Sequence, residues 1–98
     1  MLKFSQFKIG KLYRYVRSGY ELKLTFYAYN QRDFNTAIDV FSGATKALKL
    51  ETNDLIVLLG SKDGIDMSVL KETQWFYVLY NDMVGWVMFR HGDWELAT

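Results

Sequence analysis

The chain has no cysteine, no proline and a single histidine. Without cysteine it can have no disulfide staple, thiolate zinc site or cysteine nucleophile, and a cytoplasmic setting is expected. Without proline, its turns must rest on Gly, Asn and Asp. His91 stands alone, so a histidine-built metal centre lacks partners, and no serine sits in a Gly-x-Ser-x-Gly elbow. No apolar run approaches the roughly 20 residues that span a bilayer. The opening "MLKFSQFKIGKLY" is broken by lysines, unlike the apolar centre of a secretion signal. "GSKDG" lacks the Gly-Lys-Ser/Thr ending of a phosphate loop. Asp63, Asp66 and Glu72 do not have EF-hand spacing and read as solvated carboxylates. The expectation is a protein with no cofactor, no metal and no catalytic activity.

What the chain does have is rings. Half of its 98 residues are hydrophobic and 17% are aromatic, which places residues 1–98 in one folded domain rather than a disordered chain. Seven Tyr, seven Phe and three Trp are more than one small barrel buries easily. The near-neutral total hides an asymmetry. Residues 1–50 carry nine Lys/Arg against three acids, and residues 51–98 carry three against eight. Such a split either marks an anionic partner or is mixed on the surface when the two halves interleave.

Periodicity along the chain is that of strands. In "KLYRYVR", Leu12, Arg14 and Val16 alternate with Tyr13 and Tyr15, and Ser18-Gly19 reads as a turn. In "YELKLTFYAYN", Leu22, Leu24, Phe26 and Ala28 line one face, with Glu21, Lys23, Thr25, Tyr27 and Tyr29 on the other. "TAIDVF" reads as a short β-branched strand, and "SGATKALKLETND" as a loop or one helical turn. "LIVLLG" reads as a central buried strand, "SKDG" as an Asp-Gly turn, and "IDMSVLKE" as a short helix or irregular loop. "QWFYVLY" and "VGWVMFR" are strands joined by a tight turn at Asn81-Asp82, and "WELA" is a last short strand. The pattern predicts an all-β fold, a small barrel of about six or seven short antiparallel strands.

In this order the features resemble those of an SH3-like barrel, as in bacterial SH3-type domains. The matching motifs are "LYRY", "NDLIVLLG", the "QWFYVLYNDMVGWVM" hairpin with its Gly85-Trp86-Val87, and "HGDWELA". The first long loop is longer than usual, implying an extra hairpin. The resemblance places Tyr13, Tyr15 and Trp75 at positions of the family's aromatic groove. Met88 stands where the family has proline, His91 where it has a groove tyrosine, and Arg14 where it has an acid. These departures argue against a proline-rich ligand. The resemblance also implies that Trp86 packs inward while Trp75 is partly exposed beside Tyr13 or Tyr15; the competing account buries both tryptophans.

Two functions are open at this point. One is a protein-interaction module or small assembly subunit, binding a protein partner or itself through an aromatic face of Tyr13, Tyr15, Tyr27, Tyr29, Trp75 and His91 and through the barrel edge. The alternative is a nucleic-acid-binding small barrel of KOW or Tudor-like type. It would use Lys8, Lys11, Arg14 and Arg17, with Phe4 and Phe7 among rings that could stack on bases.

Overall fold

The structure, a computed structural model, describes residues 2–16, 22–66 and 71–97, and the backbone alone at 64–66 and 71–72. The expected Ser18-Gly19 turn and Arg17 lie outside the described residues. Among the described residues a short 3-10 turn, Phe4–Gln6, precedes seven strands and one helix. They are β1 (Leu12–Tyr15), β2 (Thr25–Ala28), α1 (Ala37–Gly43), β3 (Lys46–Lys49), β4 (Leu55–Asp66), β5 (Lys71–Tyr80), β6 (Met83–Met88) and β7 (Trp94–Leu96). The fold is all-β apart from these short helical pieces. None of the described helices is long and apolar enough to cross a membrane.

The strands form one antiparallel sheet in the order β3-β2-β6-β5-β4-β1-β7. β3 and β7 each have a single neighbour, so hydrogen bonding does not close the sheet into the expected barrel. It curls nonetheless: the Leu24 amide, just before β2, donates to the Tyr15 hydroxyl of β1 at 3.0 Å, although the two strands lie far apart in the order. Inside the curl, Tyr13, Tyr15, Phe26, Ile56, Leu58, Phe76, Val78, Val87 and Trp94 form the larger core. On the outer side, Phe34, Ala37 and Val40 pack over Trp75, Tyr77 and Trp86 in a second cluster.

The β5–β6 hairpin follows the sequence reading. Asn81 and Asp82 both have positive φ, 49° and 61°, as the two central residues of a type I′ turn require. β6 then returns in register, with Tyr77 opposite Trp86 and Leu79 opposite Val84. Gly85 is required where β6 meets β2, because a Cβ there would stand 2.1 Å from the Tyr27 carbonyl oxygen.

Four local expectations are corrected. "TAIDVF" lies in a helix, because Asp39 accepts the Asn35 and Thr36 amides at 2.9 and 3.1 Å and so caps its first turn. Ala37 and Val40, three residues apart, then face the sheet while Ile38 and Phe41 stay exposed. The ambiguous "SGATKALKLETND" contains β3, paired with β2, so the extra element of the long loop is a β2–β3 pair with a helix between its strands. Asp63-Gly64 is no turn: both residues lie within β4, opposite Gln74 and Thr73 of β5. Strand likewise runs through 65–66 and 71–72, where a short helix or loop was expected. "LIVLLG" does hold an interior place in the sheet, but Leu55 is exposed and only Ile56 and Leu58 are fully buried.

Candidate functional site

The aromatic groove expected from the SH3 resemblance is not present. Trp75 is 0% exposed, as sealed as Trp86 at 1%. Its ring packs not on Tyr13 or Tyr15 but edge-on to Phe34, with Tyr27 and Phe41 beside it. The two indoles share the outer side of the sheet, so Trp86 too is buried beneath the 34–40 segment rather than inside the curl. Both indole N–H groups are satisfied: Trp75 Nε1 donates to Thr73 Oγ1 and Trp86 Nε1 to the Gln31 carbonyl, each at 2.8 Å.

Tyr13 and Tyr15 are inner-core residues, because β1 turns its odd positions into the curl. The Tyr13 hydroxyl accepts the Lys8 amide at 2.7 Å. The Tyr15 hydroxyl takes an N–H from Arg90 at 3.3 Å as well as the Leu24 amide. Arg90 in turn donates to the fully buried Asp93 at 2.7 Å. These hydroxyls tie loops to the core and offer no surface to a ligand. Tyr27 and Tyr29 are half-buried, and His91 is exposed on the turn before β7. The six residues do not form one patch.

The basic set is also dispersed. Lys8 and Lys11 are exposed, whereas Arg14 is paired with Glu95 across β1 and β7 at 2.8 Å. Phe4 stacks on Phe76 with centroids 5.2 Å apart, and Phe7 packs on Tyr13 and Phe76 at 4.6 and 4.8 Å. Rings engaged in this way are poorly placed to stack on bases.

A different surface emerges on the outer side of the sheet, beside the helix-covered cluster. The register sets Val84, Leu79, Val57 and Leu12 in one row across β6, β5, β4 and β1. Leu55, one pleat along β4, lies opposite Arg14. Leu79 is 37% and Leu55 44% exposed, and the other three are half-buried. An aliphatic row carries no donor or acceptor, so only another apolar surface can cover it. The row could have been found from the alternation of Leu12 with Tyr13 and of Leu79 with Val78. What the sequence could not supply was which of the two apolar sides lacked a cover.

Beside Val84 opens a hollow of about 690 Å³, walled by Tyr29, Asn30, Gln31, Asn35 and Lys46. The Tyr29 ring enters because residue 43 is glycine; a Cβ there would approach it to 2.6 Å. Asp33 stands at the rim in an ion pair with Lys62. The Lys62 ammonium and the Phe34 amide hold its carboxyl below the usual aspartate value. Among the described residues no group of three or more His, Cys, Asp or Glu side chains is arranged to hold a metal ion.

No protein-family model matches the chain, and no match is found among curated proteins or solved structures.

Proposed function

We propose that this chain is a non-catalytic, cytoplasmic protein-interaction module or small assembly subunit that docks a protein partner on the outer face of its sheet. The observation carrying this reading is the partly exposed Val84–Leu79–Val57–Leu12 row with Leu55 beside it. Contiguous apolar surface rimmed by charge is what interaction sites expose, and it costs solubility where nothing covers it. An SH3-like small barrel remains our architectural proposal, resting on the strand order along the chain and the curl of the sheet. The docking surface proposed is the aliphatic outer face and not that family's aromatic groove. Nucleic-acid binding has less support, since Phe4 and Phe7 pack on the core and Arg14 is paired.

Affinity enrichment from source lysate with the wild type and with Leu79→Glu tests the proposal. A protein captured by the wild type and lost with the variant is the expected outcome. Equal capture by both, or no capture by either and no self-association of the wild type, refutes it.

A further inference from the structure

We infer that the hollow beside Val84 is a binding site for a neutral saccharide, held by three side-chain amides and the ring of Tyr29. The inference is independent of the docking reading above, because it concerns the polar hollow and not the aliphatic row.

Unused hydrogen-bonding capacity argues for it first. Asn30, Gln31 and Asn35 line the hollow with exposed side chains, and among the described residues none of the three carboxamides makes a hydrogen bond. Their main chain, in contrast, is tied down. The Gln31 backbone carbonyl accepts the Trp86 indole N–H at 2.8 Å, and the Asn35 backbone amide donates to Asp39 at 2.9 Å. Anchoring the backbone beforehand lowers the ordering cost of a bound ligand. A carboxamide carries two donors and an acceptor. A nucleobase or peptide unit fixes each polar atom as donor or acceptor, whereas every sugar hydroxyl is both, which fits amides whose orientation no internal bond dictates.

The ring argues for it second. Tyr29 is half-buried, stacks on no other ring among the described residues, and its hydroxyl finds no partner among them. Its position depends on Gly43, where a Cβ would come within 2.6 Å of Cε1 and displace the ring. Met83 and Val84 add apolar wall. The polarised C–H groups on the less polar face of a pyranose are attracted to the negative face of such a ring.

Charge narrows the ligand to a neutral one. The charged residues lining the hollow, among those described, are Asp33, Asp39 and Lys46, and Asp33 is already paired with Lys62. One ammonium against one remaining carboxylate leaves no surplus of cations for a phosphate or a uronate. An apolar ligand would cover the amides without satisfying them. A volume of about 690 Å³ lies within the range of small-molecule sites and admits a short oligosaccharide. An uncharged ligand held by a few amides and one ring binds weakly, with a Kd on the order of 1 mM.

Titration of the nitrogen-15-labelled full chain with cellobiose, lactose, mannobiose and diacetylchitobiose to about 20 mM, spanning that Kd, tests the inference by heteronuclear NMR. At least one disaccharide should shift the side-chain amide signals of Asn30, Gln31 and Asn35 saturably. Adenosine and glucuronate should leave them in place. Gln31→Ala and Asn35→Ala keep both backbone hydrogen bonds, so each should fold as the wild type does and weaken binding about tenfold. Tyr29→Ala, checked for native circular dichroism, should abolish binding over the same range. Should that variant fail to fold, the two amide variants carry the test.

Signals unmoved by all four disaccharides, or binding indifferent to both amide variants, overturn the inference. Tighter binding of adenosine or glucuronate than of any disaccharide also overturns it. None of these outcomes bears on the aliphatic row, so the docking proposal stands or falls separately.

Discussion

The outer side of β5 passes through two environments within five residues. Trp75 and Tyr77 are sealed at 0% and 5% exposure, whereas Leu79 on the same side is 37% exposed. The strand does not change between them; the cover does. Phe34, Ala37 and Val40 lie over the first two and stop short of the third. The covered half holds two indoles whose N–H groups have fixed acceptors, and the other half holds aliphatics with no polar atom to satisfy. Fixed polar partners suit permanent burial. Plain aliphatics tolerate being wet and dry in turn, as a surface that exchanges solvent for a partner must.

The sharpest way to break this comparison is to truncate the covered rings. Trp86→Ala and Trp75→Ala should each cost about 3–5 kcal/mol, as large aromatic truncations in cores do. At roughly 4–8 °C per kcal/mol for a domain of this size, thermal midpoints should fall by at least about 12 °C. A Trp75→Ala midpoint close to wild type would mean that the two halves are not differently covered. Gly85→Ala, on the same strand as Trp86, instead attacks the core inside the curl. Its methyl collides with the Tyr27 carbonyl and the Phe26 ring, and moving them strains the β2–β6 pairing. A loss of about 3 kcal/mol is expected by denaturant titration, at the upper end for overpacking.

The comparison also explains what could be read from the sequence. Alternation in "QWFYVLY" sorted Trp75, Tyr77 and Leu79 onto one side and Phe76, Val78 and Tyr80 onto the other, and the clusters keep that sorting. Period two gives the side of a strand but not what covers it. The covering segment was the part misread, because Ile38 and Val40 in "TAIDVF" have β-branched side chains that favour strands. The signal that outweighed them was Thr36 with Asp39 three residues on, a capping pair. Asp63-Gly64 misled in the opposite direction: a favourable turn pair lies inside long strands whose pairing continues past it. Tyr13 and Tyr15 were assigned to a groove because "LYRY" resembles the aromatic motif that opens SH3 domains. In this fold their hydroxyls reach the Lys8 and Leu24 amides, which lets the rings lie in the core.

The cover itself can be loosened. Asp39→Ala removes the acceptor for the Asn35 and Thr36 amides and should cost about 1 kcal/mol. Because α1 lies over the tryptophans, acrylamide quenching should rise along with the fall in stability. In the bare half, Leu79→Glu should change monomer stability by no more than about 0.5 kcal/mol, measured at low concentration, as surface substitutions do. A loss comparable to Trp75→Ala would show Leu79 to be part of the folded core.

The smallest effect concerns the inner side of β5 and appears only in alkali. Tyr80, 7% exposed, donates its hydroxyl to Asp54 Oδ2 at 2.7 Å, and Asp54 also accepts the Glu51 amide at 2.8 Å. Burial raises the phenol from its ordinary 10.0 to about 12, and the Asp54 carboxylate adds to the shift by disfavouring a second negative charge. In the unfolded chain Tyr80 ionises near the ordinary value, so between there and about 12 the folded state holds a proton that the unfolded state has lost. The contribution of this group to stability is therefore complete below the unfolded pKa and declines as pH rises through that window. Tyr80→Phe removes both the hydrogen bond and the titration. Its stability profile should be flatter than wild type over that range, and ultraviolet titration should lose one late-ionising phenol. If the variant falls as steeply as the wild type, the alkaline loss arises elsewhere and the Tyr80–Asp54 contact does not govern it.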